Sequence, residues 1–326
     1  LQGLGLLLGG SLLGILTACG LLLGVGGMAL LWRSLGQGGD LDAAIERRGQ
    51  RLAQERLQLE REIREAIGSG QFELHYQPIL SLAGVRHAGV EGLVRWRHPQ
   101  RGLVSPAVFI PLAEKSGTVI ELGRWVIEQV CRDIGSWKAQ GLWRDGWYAS
   151  FNLSAKQLDD PQLLQVIERA TQALGVLPRD LRLELTESTF VERRDQAYGL
   201  FDSLAGRGHL VCMDDFGTGY SSLSSLGSLP FSVLKLDKSF LDGLVDDPHR
   251  QALVSGVLAL AAKLGLQVVA EGVEQSAQAQ WLREAGCGWV QGYLYSKPLD
   301  PKAIREWLAQ AASRSTHSEK AVEQPA

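Results

Sequence analysis

Seven short apolar segments of the sequence each carry, at or near their end, a polar side chain that a hydrophobic core would exclude. Single residues of this kind are typical of capping groups or of surface charges just past a strand. Seven in step on seven predicted strands indicate instead that they meet at one functional face. Five carboxylates at one point repel one another unless cations neutralise them, so the pattern predicts a site for hard metal ions. The residues are Glu91, Asn152, Glu184, Asp214 with Asp215, Lys235, Glu271 and Gln291.

The adjacent carboxylates Asp214 and Asp215 suggest a particular chemistry. Neighbouring carboxylates at a strand end can share two cations, one bridging and one terminal. Two such metals activate water and hold the oxygens of an in-line displacement at phosphorus. Lys235 lies inside the apolar run 233–236, which favours a buried role over a surface one. It would orient the attacking water or stabilise charge that develops on phosphoryl oxygen.

Composition restricts the metal and the partners. The four cysteines are scattered without a CxxC pair, and the six histidines include no HExxH spacing. Neither a disulfide framework nor a zinc site is therefore expected, and oxygen ligands favour magnesium, manganese or calcium. The net charge of −3 gives no electrostatic argument for binding DNA, and no DNA partner is expected.

From about residue 72 to residue 308, short apolar runs alternate with longer amphipathic stretches. Repeated alternation over this length predicts an α/β fold of the (β/α)8 barrel type, and a doubly wound open sheet is the alternative. The open sheet usually carries a glycine-rich loop after its first strand, and no GxGxxG is found there. Strands are predicted at 72–76, 88–94, 148–153, 181–185, 210–213, 233–236, 267–270 and 289–293, and helices at 125–137, 162–174, 193–204, 250–264 and 278–284.

The segment EGLVRW at 91–96 resembles the signature element of EAL-domain cyclic di-GMP phosphodiesterases, with glycine in place of the central alanine. The tripeptide alone is a weak match. The resemblance extends, in the family's order and spacing, over roughly residues 72–308. Its further segments are YQPI (76–79), FIPLAE (109–114), NLS (152–154), ELTES (184–188), DDFGTGYSSL (214–223), LKLD (234–237), AEGVE (270–274) and QGY (291–293).

The resemblance implies a modified TIM-like (β/α)8 barrel with one antiparallel strand, and metal-dependent hydrolysis of cyclic di-GMP to linear pGpG. It implies two divalent cations, Mg²⁺ or Mn²⁺. Lys235, Glu91 and Glu271 would be catalytic, with Lys235 and Glu271 positioning the water. Gln77, Arg95 and Gln291 would lie at the substrate. The first metal would be held by Glu91, Asn152, Glu184 and Asp214, and the second by Asp214 and Asp215.

The segment that begins at Asp215 resembles the family's mobile loop, with Glu187 as the residue that anchors it. Asp215-Phe216-Gly217 alone could suggest a protein kinase, but no HRD element or kinase glycine-rich loop accompanies it. The alternative function is a catalytically silent cyclic di-GMP receptor or interaction module. Such domains usually lose part of the metal shell or of the loop, and no matched position is lost here.

The amino-terminal residues 1–32 carry no charged side chain and are long enough to predict a transmembrane helix. Positive residues from Arg33 onward predict that the rest is cytoplasmic, at a bacterial inner membrane. A signal peptide is the competing interpretation, but the basic start is missing. Residues 33–70 are predicted to form a juxtamembrane linker helix, 71–311 the phosphodiesterase domain, and 312–326 a disordered tail. Two GxxxG spacings in the first segment hint at a homodimer.

Overall fold

A computed structural model describes residues 56–84, 86–217 and 231–322, with the isolated positions 48, 50 and 54, and the side chains of 314–322 are not described. The chain divides into two compact units, Leu1–Leu59 and Glu60–Ala326. The predicted membrane segment lies outside the described residues, and no described helix is long and apolar enough to cross a bilayer. In the first unit the described positions are helical.

The second unit is built on a closed sheet of eight strands with one short strand attached outside the ring. Seven strands, β2 and β4 to β9, run parallel, and β1 closes the ring by pairing antiparallel with both β2 and β9. The predicted barrel with one antiparallel strand is therefore confirmed. The strands are β1 (Phe72–Ser81), β2 (Arg86–His98), β3 (Gly102–Val104), β4 (Tyr148–Asn152), β5 (Leu181–Thr186), β6 (Leu210–Phe216), β7 (Val233–Leu236), β8 (Gln267–Ala270) and β9 (Trp289–Val290).

Nine α-helices and three short 3-10 helices in the described part of this unit connect or flank the strands. The helix over Pro248–Lys263 begins with ordinary capping chemistry: the Asp247 carboxylate accepts from the backbone N–H groups of His249 and Arg250, and Pro248 occupies the first turn. The helices are α1 over residues 60–68, α2 (Pro106–Ser116), α3 (Val119–Ala139), α4 (Leu163–Ala173), α5 (Glu187–Glu192), α6 (Arg194–Ala205), α7 (Pro248–Lys263), α8 (Ser276–Glu284) and α9 (Pro301–Val322).

Most residues of the parallel strands are buried on both faces of the sheet, and the two faces differ in character. On β5, Leu181, Leu183 and Leu185 are fully buried in the large apolar core formed with the surrounding helices. Successive side chains of a strand point to opposite faces, so Arg182 and Glu184 face the barrel interior. The same alternation on the other strands collects the polar residues at the carboxyl end of the interior, above a small apolar layer.

Several elements differ from the sequence prediction, and one of them is helix α9, which no predicted helix covered. Helix α2 was not predicted because it contains Pro106 and Pro111, and α5 and β3 are too short to show periodicity. The tail predicted to be disordered from residue 312 instead continues α9 to Val322. Residues 312–322 lack glycine and proline, so local helix propensity extends the helix even without an apolar stripe.

Candidate active site

Lys235 is the centre of the polar cluster at the carboxyl ends of the strands. The residue is only 1% exposed. Nζ lies 2.7 Å from Glu271 Oε1, 2.8 Å from Glu184 Oε2, 3.2 Å from Asp214 Oδ1 and 3.5 Å from Glu91 Oε2. These carboxylates come from β2, β5 and β6 and from the residue that follows β8, so one buried cation links four strands of the barrel.

Glu91, in the middle of β2, is fixed by two side-chain amides. Asn152 Nδ2 donates to its Oε1 at 3.0 Å, and Gln291 Nε2 donates to its Oε2 at 2.6 Å. The Gln291 amide also donates to Gln77 Oε1 at 3.0 Å, and Gln77 Nε2 donates to the Ser296 carbonyl. Neutral donors therefore hold this carboxylate in place while its charge remains available.

Asp214 and Asp215 reach the same site because the backbone departs from a regular strand between them. Adjacent side chains of a strand normally point to opposite faces. Here the pairing of β6 with β7 shifts register between Met213 and Phe216, and Asp215 has φ of +53°. Asp215 is the one non-glycine residue with positive φ in the described ranges. The irregularity brings both carboxylates and Glu271 within 4.8 Å of one another.

The pKa values of the site reflect several carboxylates that lie close together around one ammonium group. Burial raises the pKa of Glu271 to about 8, although Lys235 opposes the shift. Burial also raises the pKa of Glu184 well above its ordinary value. The pKa of Asp215 is raised by burial and by the neighbouring charge of Asp214. For Lys235 the largest single effect is burial, which lowers the pKa, but the surrounding carboxylates together outweigh it and raise it.

The residues present fit divalent cations. Two overlapping groups have ligand atoms within 4.8 Å of one another: Glu91 with Glu184 and Asp214, and Asp214 with Asp215 and Glu271. Asp214 Oδ1 is buried and makes no hydrogen bond, although it lies near Lys235. An all-oxygen donor set with an unsatisfied buried carboxylate is suited to Mg²⁺ or Mn²⁺ rather than to thiolate-binding metals.

Glu187, the predicted loop anchor, contacts the backbone just before the predicted loop. Glu187 is 1% exposed, and its Oε2 accepts from the backbone N–H of Gly217 at 2.7 Å. Gly217 has φ of +96°, and an added Cβ would lie 2.1 Å from the Phe240 ring. Residues 218–230 of the predicted mobile loop lie outside the described residues.

A cavity of about 310 Å³ opens beside the carboxylates, between the ends of β2, β4 and β5 and the helices α2 and α3. Its lining includes Arg95, Asn152, Leu93, Ile110 and Glu114. Arg95 is half-buried and donates through Nη1 to the Val94 carbonyl. Burial lowers the pKa of Arg95. Sequence reasoning assigned no role to Glu114, although it ends the FIPLAE segment, because only the fold shows that α2 faces the site.

Comparison with known proteins gives a consistent result. The EAL domain profile matches residues 60–298. The bifunctional diguanylate cyclase/cyclic di-GMP phosphodiesterase MucR of Pseudomonas aeruginosa is 40% identical over 256 residues, which cover 77% of this chain and 36% of that protein. The cyclic di-GMP phosphodiesterase PdeR of Escherichia coli is 37% identical over 261 residues, which cover 80% of this chain and 39% of that protein. The chain thus spans about a third of the length of the curated relatives it matches.

Solved structures agree with the sequence relatives. A structure titled PaMucR phosphodiesterase, c-di-GMP complex, superimposes with a TM-score of 0.71 at 39% identity, covering 76% of this chain and 99% of that one. The cGMP-bound EAL enzyme Bd1971 gives a TM-score of 0.74 at 33% identity, and the match covers 86% of this chain and 74% of that one. The profile match over most of the barrel unit, together with these relatives, shows that the chain belongs to the EAL domain family.

Proposed function

We propose that the chain is a metal-dependent phosphodiesterase that hydrolyses cyclic di-GMP to linear pGpG. The observation that carries the proposal is the convergence of five carboxylates and Asn152 around the buried ammonium of Lys235. The names of the relatives support the same substrate, since two are cyclic di-GMP phosphodiesterases and one solved EAL domain binds c-di-GMP.

In the proposed reaction a water oxygen adds to one phosphorus of the cyclic dinucleotide. The bond from that phosphorus to the ribose 3′-oxygen breaks, the water loses a proton and the 3′-oxygen gains one, leaving a 5′-phosphate. Two bound divalent cations would activate the water and neutralise charge on the phosphoryl oxygens. Glu91, Asn152, Glu184 and Asp214 would hold one of them, and Asp214 with Asp215 the other.

The chain's own residues supply positioning and charge. Lys235 Nζ, already within hydrogen-bond reach of Glu271 and Glu184, would orient the water and stabilise developing negative charge. Arg95, at the wall of the cavity, would bind a phosphate oxygen with its paired donors. Gln77 and Gln291 would lie beside the substrate and keep Glu91 in place.

The test is a product assay on the full chain with cyclic di-GMP and Mg²⁺ or Mn²⁺, with and without chelator. Metal-dependent formation of pGpG supports the proposal. Saturable nucleotide binding without product under both metals would contradict it and would favour the catalytically silent receptor. The complete metal shell at the matched positions favours the hydrolase.

We further propose that residues 1–32 anchor the chain in a bacterial inner membrane, with the barrel in the cytoplasm, and that the chain forms a homodimer. The support is the absence of charge over these residues, the arginines that follow, and the GxxxG spacings. Fractionation of cells that express the full chain and a variant lacking residues 1–32 tests the anchor. Equal recovery of both in the soluble fraction would contradict it.

A further inference from the structure

His98, the last residue of β2, is a buried side chain that has no part in the proposed reaction. It is 6% exposed. Its Nδ1 accepts from the backbone N–H groups of Gln100 at 3.1 Å and of Arg101 at 3.2 Å. A ring nitrogen that accepts carries no proton, so the proton lies on Nε2, which donates to Glu62 Oε2 at 3.1 Å. One ring therefore holds the turn that follows β2 and joins that turn to helix α1.

Glu62 is placed on α1 so that its carboxylate fixes the orientation of the His98 ring. Its side chain is 21% exposed, and the oxygen that accepts from His98 also lies 3.9 Å from Arg101 Nε. Ile63 and Ala66 of the same helix are completely buried, so α1 is itself held within the barrel unit. A hydrogen bond to a charged and largely buried carboxylate is stronger than one between neutral groups. The contact therefore determines where the ring sits.

The turn that His98 holds leads directly into the wall of the cavity beside the carboxylates. Strand β3 follows the turn and pairs with β2. Pro106, two residues after β3, begins α2 and lines the cavity, as do Ile110 and Glu114 of the same helix. Only β3 and Ser105 separate the turn from α2, so a shift of the turn is passed to the start of that helix.

Aromatic packing makes a second connection between His98 and the cavity. The ring centroids of His98 and Trp96 lie 5.1 Å apart. Trp96 is completely buried and packs edge-on against Phe109 of α2, with 5.8 Å between the ring centroids. Arg95 and Ile110, the chain neighbours of these two rings, both line the cavity. The position of the His98 ring is therefore passed to both sides of the cavity wall.

We infer that His98, held in place by Glu62, is a positioning residue for substrate binding, because it fixes the wall of the cavity. Neither side chain is among the described residues that line the cavity, so both act through the backbone and through Trp96. Glu91 is held instead by the pairing of β2 with β1 and β4. Loss of the contact should therefore weaken substrate binding and spare the chemical step. The inference rests on the proposed function.

The test separates the two contacts of the ring in steady-state kinetics of the full chain with cyclic di-GMP and Mg²⁺. Glu62→Ala removes the acceptor of the Nε2–H group. His98→Asn keeps an acceptor for the turn and loses Glu62, whereas His98→Gln keeps a donor to Glu62 and loses the acceptor. Each variant should raise KM about tenfold, as expected for one lost hydrogen bond to a charged group, and keep kcat within about twofold. Glu62→Gln, which keeps an acceptor, should restore a KM near that of the wild type.

The matched control is Glu65→Ala, which removes the same charge from an exposed position of α1 and should change neither KM nor kcat. Hydrogen exchange of the Gln100 and Arg101 amides provides a measurement that does not depend on turnover. Exchange should be about tenfold faster in Glu62→Ala than in the wild type and in Glu65→Ala. If the His98 variants do not fold, the Glu62 and Glu65 variants make the comparison.

The inference is overturned if Glu62→Ala lowers Tm while KM and the exchange of these two amides stay at their wild-type values. It is also overturned if kcat falls as much as KM rises. A wild-type chain that forms no pGpG contradicts the proposed function instead. The affinity for cyclic di-GMP, measured by calorimetry in the same variants, then replaces KM, and a wild-type chain that does not bind the nucleotide overturns both.

Discussion

Lys235→Met should destabilise the metal-free protein more than any other single change in the site. The ammonium contacts four carboxylates at 2.7–3.5 Å and is almost completely buried. Each contact is worth roughly 5 kcal/mol of gross attraction at an effective dielectric of about 20, but desolvation of the charges offsets most of it. Removing one partner of a buried ion pair costs about 3–5 kcal/mol, which is the loss expected here in chelator.

The loss should depend on metal and on pH in a defined direction. Bound Mg²⁺ takes over part of the neutralisation, so the difference in unfolding free energy between the variant and the wild type should shrink when Mg²⁺ saturates the site. Without Lys235 the carboxylates are more easily protonated, so acidification towards pH 5 should also reduce the difference. Chemical denaturation with chelator and with Mg²⁺, at pH 7.5 and pH 5, measures both effects.

The same variant should lose about 10²–10³ in kcat with little change in KM, because Lys235 acts on charge that develops in the transition state. Lys263→Met, at the exposed end of α7, is the control and should change neither quantity. The reasoning is refuted if Lys235→Met shows one constant loss of stability at both pH values and both metal conditions, or if kcat stays within a few fold of the wild type.

Three further changes test other parts of the account. Glu187→Ala removes the acceptor of the Gly217 N–H and should lower both activity and Mg²⁺ affinity about tenfold. Reaction rates and calorimetry measure the two effects, and unchanged values would show that Glu187 does not anchor the loop. Gly217→Ala places a Cβ against the Phe240 ring at a strained φ and should lower the free energy of unfolding, measured by chemical denaturation, by about 1–3 kcal/mol. The same substitution in a Phe240→Ala protein should cause a smaller loss. His87 accepts from Trp307, and burial lowers its pKa to about 3, so its contribution to stability is complete above pH 6.5 and falls as the pH drops below it. Between pH 7.5 and pH 5.5 the wild type should lose about 1.4 kcal/mol more than His87→Gln, and parallel curves would contradict this assignment.

The location of the site could be read from the sequence because the carboxyl ends of parallel strands converge. Glu184 and Asp214 lie towards the carboxyl ends of predicted strands. Closure of those strands into a barrel is therefore enough to bring the two side chains together. The placement of Asp215 could not be derived in the same way. Strand alternation would point it away from Asp214, and only the shifted register with positive φ turns it inward.

Other features depend on contacts that lie far apart in sequence. Arg182 alternates with leucines and would read as the exposed face of a strand, whereas in a closed barrel that face is the interior. Glu114 lines the cavity because α2 packs beside β2. That helix could not be predicted from the sequence pattern because it contains two prolines. The order of the strands and the end of the barrel that carries the polar residues were predictable, but the partners of each buried charge were not.

The most direct test of the account is the rate of pGpG formation from cyclic di-GMP as Mg²⁺ is titrated into chelator-treated protein. The wild-type chain should form no product until Mg²⁺ is added, and the rate should then rise to saturation. Asp214→Asn, which weakens the carboxylate shared by both predicted metal positions, should stay near zero throughout. Product formed in excess chelator, or a wild-type rate in Asp214→Asn, would contradict the assignment of this cluster as the metal centre of a phosphodiesterase.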